Sequence, residues 1–399
     1  MKIAIVSNLY LPYVRGGAEI GIARVVTALL AQGHTVVVIS SRPFGGWKTL
    51  KPSLEVRGKE RIYRFFPLNM YHTLQDHKYP AFVRLFWHAI DAINPLNGLM
   101  VRKIIAQEKP DVVWTQNLKG IGLTIPRFLK GLNVLHVHQV HDVQLVVPSG
   151  LILAGHEHPS PLVGFGWQIS AFVNRFLFDS PQIVLSPSKF LKSFYESWGL
   201  FRHSRVIVQP NPAPKVEPIE RGMRQAGPLR LLYVGQMAEH KGIRLLIESL
   251  LASDLKFELS MAGEGPLADW VQKTAKADKR LVYVGFVSIA QLQQLFHMAD
   301  ALVVPSLCYE NSPTVIYEAF ASGLPVVAAN IGGVGELICE GENGTMFAPT
   351  DPAALIAALK RIDADKEGWR SRASQIRTFI SDYSMDRYIA KLIELFSAK

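Results

Sequence analysis

The sequence predicts an α/β protein with two parallel β-sheets, and three observations carry that prediction. Short, almost wholly apolar segments such as Lys2–Ser7 and Thr35–Ser40 alternate with helical patterns, as buried parallel strands do. The same alternation starts again at Leu229–Val234. The chain has 399 residues, which is too long for one ordinary hydrophobic core. We therefore expect two Rossmann-like domains, each built on its own sheet.

A change of composition separates the two halves. Ala213–Pro228 is rich in proline, glycine and charge and has no hydrophobic period, which is typical of a linker. We therefore predict a first domain at 1–212 and a second domain at 213–382.

Composition and charge limit the classes of function. The chain is 49% hydrophobic and 19% charged, with a formal net charge of +10, so it should attract polyanions. It has no helix-turn-helix, zinc-finger or RNA-binding signature, so a nucleic acid is not the expected partner. An anionic membrane surface or a phosphorylated ligand is the expected partner. No apolar run reaches the roughly 18 residues that cross a bilayer, and Cys308 and Cys339 alone make no disulfide framework. We expect a cytoplasmic protein with peripheral attachment at the inner face of the membrane.

The first βαβ unit carries a glycine pair at the start of its helix. Gly16 and Gly17 follow the first strand and loop, and the helix is expected to run to about Gln32, where Gly33 ends it. There is no Gly-x-Gly-x-x-Gly, so a dinucleotide fingerprint is absent. Paired glycines at a helix start let backbone N–H groups approach an anion closely. The alternative is that they only form a tight turn.

The segment 55–109 is basic and aromatic. Its members are Arg57, Lys59, Arg61, Arg64, Phe65, Phe66 and Tyr71. Phe82–Ile90 then places apolar residues at helical spacing. One interpretation is an ordinary amphipathic helix packed on the sheet. The other is a basic, aromatic surface lying against anionic lipid.

Three histidines follow one another around the strand Val134–Val137. His136 and His138 alternate and so share a face, and His141 follows them, so a zinc site is conceivable. No carboxylate or cysteine completes the set at the usual spacing. We predict no metal site.

The second half places cations and carboxylates after its strands. Lys241 follows the first strand of this half and opens a helix, a combination that suits a pyrophosphate. Further on, Ala301–Val304 is a predicted strand, and a helix is expected with Ser312 as its cap and Pro313 at its first position. Glu310 then lies in the loop before that helix, and Glu318 lies in its second turn. The free N–H groups of a helix start suit a phosphate. Two neighbouring carboxylates can hold sugar hydroxyls.

The glutamate pair also resembles a known motif. Glu310 and Glu318 enclose seven residues, and Ala-Phe-Ala-Ser-Gly-Leu-Pro-Val-Val-Ala follows. This resembles the donor-site motif of retaining GT-B glycosyltransferases of family four, the "glycosyl transferases group 1". The resemblance implies a GT-B fold, with two Rossmann-like domains facing across a cleft and a last helix, about 383–399, that returns to the first domain. It also implies transfer of a sugar from a nucleotide diphosphate sugar to a hydroxyl of a sugar or lipid-linked sugar, with retention and with no metal or other cofactor.

The resemblance assigns roles to individual residues. Glu310, His141 and Lys241 are the expected catalytic residues. The expected donor-binding residues are Gly16, Gly17, Gln236, Gly263, Asn311, Ser312, Pro313, Thr314 and Glu318, with Glu318 on the ribose. His141-Asp142 opens a segment that resembles the family's His-Asp loop, which puts Asp142 and Gln144 on the acceptor side.

Three positions depart from the family pattern. Gln144 and Val147 stand where an aromatic residue and a cysteine are common. Gln236 stands where the family has an arginine on the phosphates, and glutamine offers only a neutral hydrogen bond there. Either another base such as Arg244 compensates, or the chain binds its donor with modest affinity.

Two other classes of function remain open from the sequence. A sugar-nucleotide epimerase of GT-B fold would share the two domains, and a non-catalytic nucleotide-sugar-binding homologue would accommodate Gln236. A role in envelope polysaccharide or glycolipid synthesis is the expectation from the family. The sequence does not identify the nucleotide base, the sugar or the acceptor.

Overall fold

The chain divides into two compact units in the computed structural model, which describes residues 1–215 and 227–397. Unit 1 comprises Met1–Gly150, Pro159–Pro210 and Asp386–Lys399, and unit 2 comprises Leu151–His158 and Asn211–Met385. The units meet in sequence between Pro210 and Asn211, two residues before the boundary expected from the sequence. Most of the predicted linker at 213–228 lies outside the described residues.

Unit 1 alternates strands and helices as predicted. Its elements are β1 (Lys2–Ser7), α1 (Gly17–Ala31), β2 (Thr35–Ser41), β3 (Ser53–Arg57), β4 (Glu60–Phe65), α2 (Ala81–Ile93), α3 (Pro95–Glu108), β5 (Val112–Thr115), α4 (Ile125–Leu129), β6 (Leu135–Gln139), α5 (Pro161–Leu177), β7 (Ile183–Ser186), α6 (Lys189–Ser197) and β8 (Arg205–Val208).

The eight strands of unit 1 form one sheet in the order β3-β4-β2-β1-β5-β6-β7-β8. All neighbours are parallel except β3 and β4, an antiparallel hairpin at the edge that the sequence analysis did not predict. β1 is buried throughout except at Lys2, because it lies in the middle of the sheet. The parallel β1–β2 pairing confirms the predicted βαβ start.

Unit 2 has a second parallel sheet. Its elements are β9 (Leu229–Val234), α7 (Ile243–Leu251), β10 (Phe257–Ala262), α8 (Ala268–Ala277), β11 (Leu281–Gly285), α9 (Ile289–Met298), β12 (Ala301–Val304), α10 (Thr314–Ala321), β13 (Val326–Ala329), β14 (Gly344–Phe347), α11 (Pro352–Ala364), α12 (Lys366–Ser371) and α13 (Ala373–Thr378). The strand order is β11-β10-β9-β12-β13-β14. β9 therefore lies between β10 and β12, and the loops after these three strands start side by side.

Two segments join the unit that does not contain their sequence neighbours. The last helix, α14 (Met385–Ser397), belongs to unit 1, where the ring of Phe396 contacts that of Trp114 at 5.8 Å between centroids. Leu151–His158 belongs to unit 2, although the sequence analysis placed it in the first domain. The physical reason is backbone pairing, since the amide of Ala154 donates to the carbonyl of Leu307 at 2.8 Å.

Candidate functional site

The predicted donor residues of unit 2 follow three adjacent strands. Gln236 and Lys241 follow β9, Gly263 follows β10, and Glu310 follows β12. Because the carboxyl ends of parallel strands meet at one edge of a sheet, these residues collect at one edge of unit 2. That edge is where ligands bind in open α/β sheets.

Lys241 and Glu310 form an ion pair at this edge. Lys241 Nζ lies 2.5 Å from Glu310 Oε1, and the two side chains are 28% and 17% exposed. Ser306 Oγ donates to the same carboxylate oxygen at 2.9 Å. Burial alone disfavours the ammonium, but the nearby carboxylate outweighs it and raises the pKa of Lys241 above its ordinary value. The lysine is therefore a cation at physiological pH.

Two glycines let the surrounding loops approach this pair closely. Gly332 has a φ of +61°, and a Cβ there would overlap the backbone oxygen of Glu310. The next amide, Gly333 N–H, donates to that oxygen at 2.7 Å. Gly242 has a φ of +72°, and a Cβ there would overlap the carbonyl of Pro305. Backbone contacts of this kind hold the loops that carry Lys241 and Glu310.

The loop that carries Glu310 leads into α10, and the helix begins one residue later than the sequence predicted. Pro313 is the N-cap of α10 and Thr314 is its first residue, so the predicted helix start is one residue too early. The predicted cap was wrong because the hydroxyl of Ser312 lies 2.8 Å from that of Tyr317 and makes no capping bond. Asn311 is half-buried in the loop, and Glu318 is half-buried in the second turn of α10, where it was expected.

Gln236 and Arg244 differ in what surrounds them. The side chain of Gln236 is exposed, beyond the end of β9. Arg244 Nε donates to Glu239 at 2.7 Å, and its guanidinium lies 4.2 Å from the centre of the Trp270 ring. Arg244 is thus already engaged on its own side of α7. This geometry does not support it as the base that replaces the family arginine.

In unit 1, the glycine pair lies at the start of α1. Gly16 is the N-cap and Gly17 the first helical residue, and the carboxylate of Glu19 accepts from the amide of Gly16 at 2.8 Å. Gly16 has an extended φ of −163°, and a Cβ there would meet no atom closer than 3.9 Å. A tight turn therefore does not explain this glycine. Close approach of a ligand to the backbone remains the other interpretation.

His141 is held in a neutral form by its surroundings. Its Nε2 lies 2.7 Å from Oε1 of Gln116, an amide oxygen that accepts a hydrogen bond from the N–H of the ring. Burial lowers the pKa of His141 to about 4. The ring is thus uncharged at neutral pH. It can orient a hydroxyl but carries no positive charge.

Asp142 and Gln144 lie beside His141. Asp142 Oδ1 accepts from the amide of Gln144 at 2.8 Å, and Gln144 Nε2 donates to Asn117 Oδ1 at 2.8 Å. Burial raises the pKa of Asp142 to about 6. The structure therefore brings the three predicted residues of the His-Asp loop together in unit 1, with amide side chains from the loop after β5.

The sequence analysis missed a charged group in the same region. Lys119 Nζ donates to the carbonyl of Pro148 at 3.0 Å, and burial lowers the pKa of Lys119 although Asp142 and Asp91 oppose this. Asp91 is buried on α2, and its Oδ2 accepts from the amide of Gly120 at 2.8 Å. Lys119 could have been recognised from its position in the sequence, because it follows the carboxyl end of β5.

The alternating histidines have a structural role. His136 Nε2 and His138 Nδ1 each lie 2.9 Å from the hydroxyl of Thr115, and both rings are buried. Within 1–215 and 227–397, no group of three potential ligands is arranged to hold a metal ion.

The basic, aromatic segment is only partly a surface. Phe65, Phe66 and Tyr71 are buried, so they cannot form the aromatic surface of the second interpretation. Phe65 is buried because β4, in which it lies, pairs with β2 inside the sheet, whereas the rings of Phe66 and Tyr71 pack against those of Phe44 and Trp87. The helix α2 that follows does expose apolar residues, among them Phe82 and Phe86. Among the helices that the structure describes, none is long and apolar enough to cross a membrane.

Comparison with known proteins gives two family matches. Residues 15–214 match the family described as "Glycosyltransferase Family 4", and residues 228–365 match "Glycosyl transferases group 1". Glycogen synthase of Mycobacterium tuberculosis strain H37Rv is 28% identical over 393 residues, which covers 94% of this chain and 89% of that protein.

Two solved structures share the fold. Sucrose-phosphate synthase of Thermosynechococcus elongatus has a TM-score of 0.77 at 19% identity and covers 99% of this chain and 98% of its own. HepE of Anabaena, solved in complex with UDP, has a TM-score of 0.70 at 20% identity, with both chains covered completely.

Proposed function

Since this chain belongs to glycosyltransferase family 4 and has the predicted GT-B fold, we propose that it takes its sugar from a nucleotide diphosphate sugar. The acceptor would be a hydroxyl of a sugar or of a lipid-linked sugar, and the anomeric configuration would be retained. The ion pair of Lys241 and Glu310 at the carboxyl edge of the unit 2 sheet carries this proposal. It supplies a cation for a diphosphate and a carboxylate for sugar hydroxyls at one place.

The proposed chemistry depends on stabilising the leaving group. The bond between the anomeric carbon and the diphosphate oxygen breaks, and a bond to the acceptor oxygen forms on the same face. The acceptor proton passes to an oxygen of the departing diphosphate. Lys241 would neutralise the charge that develops on the diphosphate, together with the first amides of α10.

Other residues would bind and orient. Glu310 would hold hydroxyls of the donor sugar, and Glu318 would hold the ribose. In unit 1, neutral His141 would orient a sugar hydroxyl, because Gln116 fixes its ring. Gly16 would allow the backbone at the start of α1 to approach the donor phosphates or the acceptor closely.

The proposed setting is envelope polysaccharide or glycolipid synthesis at the inner face of a membrane. The net charge of +10 and the exposed apolar residues of α2 support this setting.

A thermal-shift panel with UDP, GDP, ADP, CDP and NAD, each with and without EDTA, tests the donor site. A ligand at about a hundred times its Kd stabilises the folded state by about 2.7 kcal/mol, which is readily measured. A shift with one diphosphate that survives EDTA would support the proposed metal-independent site and identify the base. No shift with any diphosphate would contradict it. Appearance of an epimerised sugar without an acceptor would favour an epimerase instead.

A further inference from the structure

Helix α5 turns an apolar stripe toward solvent. Its members recur at intervals of three and four residues and are 48% to 82% exposed: Leu162, Phe165, Ile169, Phe172 and Phe176. Residues at this spacing lie on one side of a helix. The opposite side is buried through Ala171, Asn174 and Leu177. The stripe is therefore the side of α5 that packs least within unit 1.

Helix α2 repeats the arrangement. Phe82, Leu85, Phe86 and Ile93 are exposed, whereas Trp87 is buried and its indole N–H donates to the carbonyl of Tyr71 at 2.8 Å. Asp91, on the buried side, anchors the loop before α4. α2 is thus fixed to unit 1 by one side and presents phenylalanine and leucine on the other.

The helices α3, α4 and α5 belong to one side of unit 1, and the last turn of α2 contacts the loop before α4, where Asp91 accepts from the amide of Gly120. The connections β4 to β5, β5 to β6 and β6 to β7 all move in the same direction through the sheet, so right-handed crossovers place α3, α4 and α5 on the same face. α4 joins its neighbours, since Arg102 of α3 donates to the carbonyl of Phe128 at 2.7 Å and Arg127 lies 4.7 Å from the ring centre of Phe176. We call the exposed apolar residues of α2, α3 and α5 the apolar face; in α3 they are Leu96 and Leu99.

The exposed charged side chains on α2, α3, α4 and α5 have one sign. The basic side chains on α2–α5 that are partly or fully exposed are Arg84, Arg102, Lys103, Arg127 and Arg175. The carboxylates on these four helices, Asp91 and Glu108, are both buried, and Glu108 pairs with Lys2 and Arg61. Asp179, just beyond α5, pairs with Lys130 at 2.8 Å. The surface therefore complements an anion.

We propose that the apolar face docks on an anionic phospholipid membrane, with its phenylalanines among the headgroups and acyl chains and its arginines and lysines on lipid phosphates. This rests on the proposed function, which it deepens by assigning the membrane contact to α2, α3 and α5. The five phenylalanines expose on the order of 500 Å², which is as much as the largest apolar patch on most monomeric proteins. Basic residues around such a surface are the signature of interfacial helices.

Cosedimentation with vesicles tests the proposal. The wild type should bind vesicles of phosphatidylglycerol and phosphatidylcholine in a 3:7 ratio and bind pure phosphatidylcholine at least tenfold more weakly. Phe165→Gln combined with Phe172→Gln should weaken binding to the anionic vesicles at least tenfold, because each side chain loses most of its apolar contact. Arg84→Gln combined with Lys103→Gln should also weaken it about tenfold or more, since each basic residue near the surface contributes several-fold.

A matched control tests whether vesicle binding depends on the apolar face or on any exposed apolar side chain. Trp47→Gln combined with Val56→Gln removes two exposed apolar side chains of unit 1 that lie outside α2–α5, and it should leave vesicle binding within twofold. Equal loss in the control, equal binding to both lipid mixtures, or no binding by the wild type would overturn the proposal. So would a dimer, measured by light scattering, that Phe165→Gln with Phe172→Gln converts to a monomer. The thermal-shift panel of nucleoside diphosphates, measured on the same preparations, reports the donor site separately, so failure of membrane docking is distinguishable from failure of the transferase assignment.

Discussion

The ion pair of Lys241 and Glu310 leads to a prediction in which its two members behave oppositely. If Lys241 binds the diphosphate and Glu310 binds the sugar, then a nucleoside diphosphate, which has no sugar on its diphosphate, should need only the lysine. UDP stands in the following for the nucleoside diphosphate that the thermal-shift panel identifies. We therefore expect Lys241→Met to weaken UDP binding. We expect Glu310→Gln to strengthen it, because the carboxylate 2.5 Å from Lys241 Nζ competes with the diphosphate for the same ammonium.

The magnitudes follow from the partial burial of the pair. A hydrogen bond to a charged group contributes about 1.5–3 kcal/mol, so Lys241→Met should raise the Kd for UDP by about 10- to 150-fold. Loss of the competing carboxylate from a partly exposed pair should contribute about 1 kcal/mol, or roughly a fivefold lower Kd. Both variants should nevertheless slow release of the nucleoside diphosphate from the nucleotide sugar by about 100-fold or more, because each removes an interaction with the reacting donor.

Isothermal titration with UDP measures the two affinities, and the thermal midpoint of each variant checks that it is folded. Arg244→Gln is the matched control, since this cation of the same region is held by Glu239 and Trp270. Its Kd for UDP should stay within twofold of the wild type.

The reasoning would be refuted if Lys241→Met and Glu310→Gln lowered UDP affinity equally, because that is the behaviour of a purely structural ion pair. It would also be refuted by full activity in either folded variant. A large loss of affinity in Arg244→Gln would show instead that this arginine replaces the one absent at Gln236.

Three further predictions concern other parts of the molecule. Burial raises the pKa of Asp91 from 3.8 to about 7, so its contribution to stability is complete below about pH 4 and is lost as the pH rises through 7. The free energy of unfolding, measured in urea, should therefore fall by about 2–3 kcal/mol more in the wild type than in Asp91→Asn between pH 5 and 8.5, and equal pH dependence would contradict this. Gly332→Ala should lower the free energy of unfolding by at least about 2 kcal/mol in the same urea assay, since its Cβ meets the backbone of the loop that carries Glu310. Gly341→Ala should lower the free energy of unfolding by about 1 kcal/mol, because Gly341 has a φ of +79° but open space around it. His141→Ala should slow UDP release from the donor at least tenfold, whereas Gln116→Leu, which removes only the partner of the ring, should slow it less; the reverse order would argue that His141 is structural.

Local patterns identified most of the secondary structure. Apolar runs identified the strands β1, β9 and β12 with the residue limits that the structure has. These elements were predictable because buried parallel strands and their helices are set by periods of a few residues. The β3–β4 hairpin was missed because its residues are basic and aromatic, and their burial depends on pairing with β2.

In the candidate site, too, the sequence identified individual residues but not the contacts between them. Spacing and resemblance pointed to Glu310, Lys241 and His141, because a loop after a strand is recognisable in the sequence. The ion pair itself joins residues 69 positions apart, and the contact of His141 with Gln116 joins residues 25 apart, so neither could be derived from local spacing. The burial that raises the pKa of Asp91 and Asp142 depends likewise on distant elements.

The sequence by itself determined two α/β units, the edge of each sheet at which the candidate site residues lie, and the family of the chain. Only the tertiary structure decided which side of each amphipathic helix is covered. The spacing of Phe165, Ile169 and Phe172 predicts an apolar stripe on α5, but the same spacing would fit a stripe buried in the core. Its exposure follows from the packing of Ala171 and Asn174 against unit 1. Burial is a property of neighbours from distant parts of the chain, and helical spacing does not specify those neighbours.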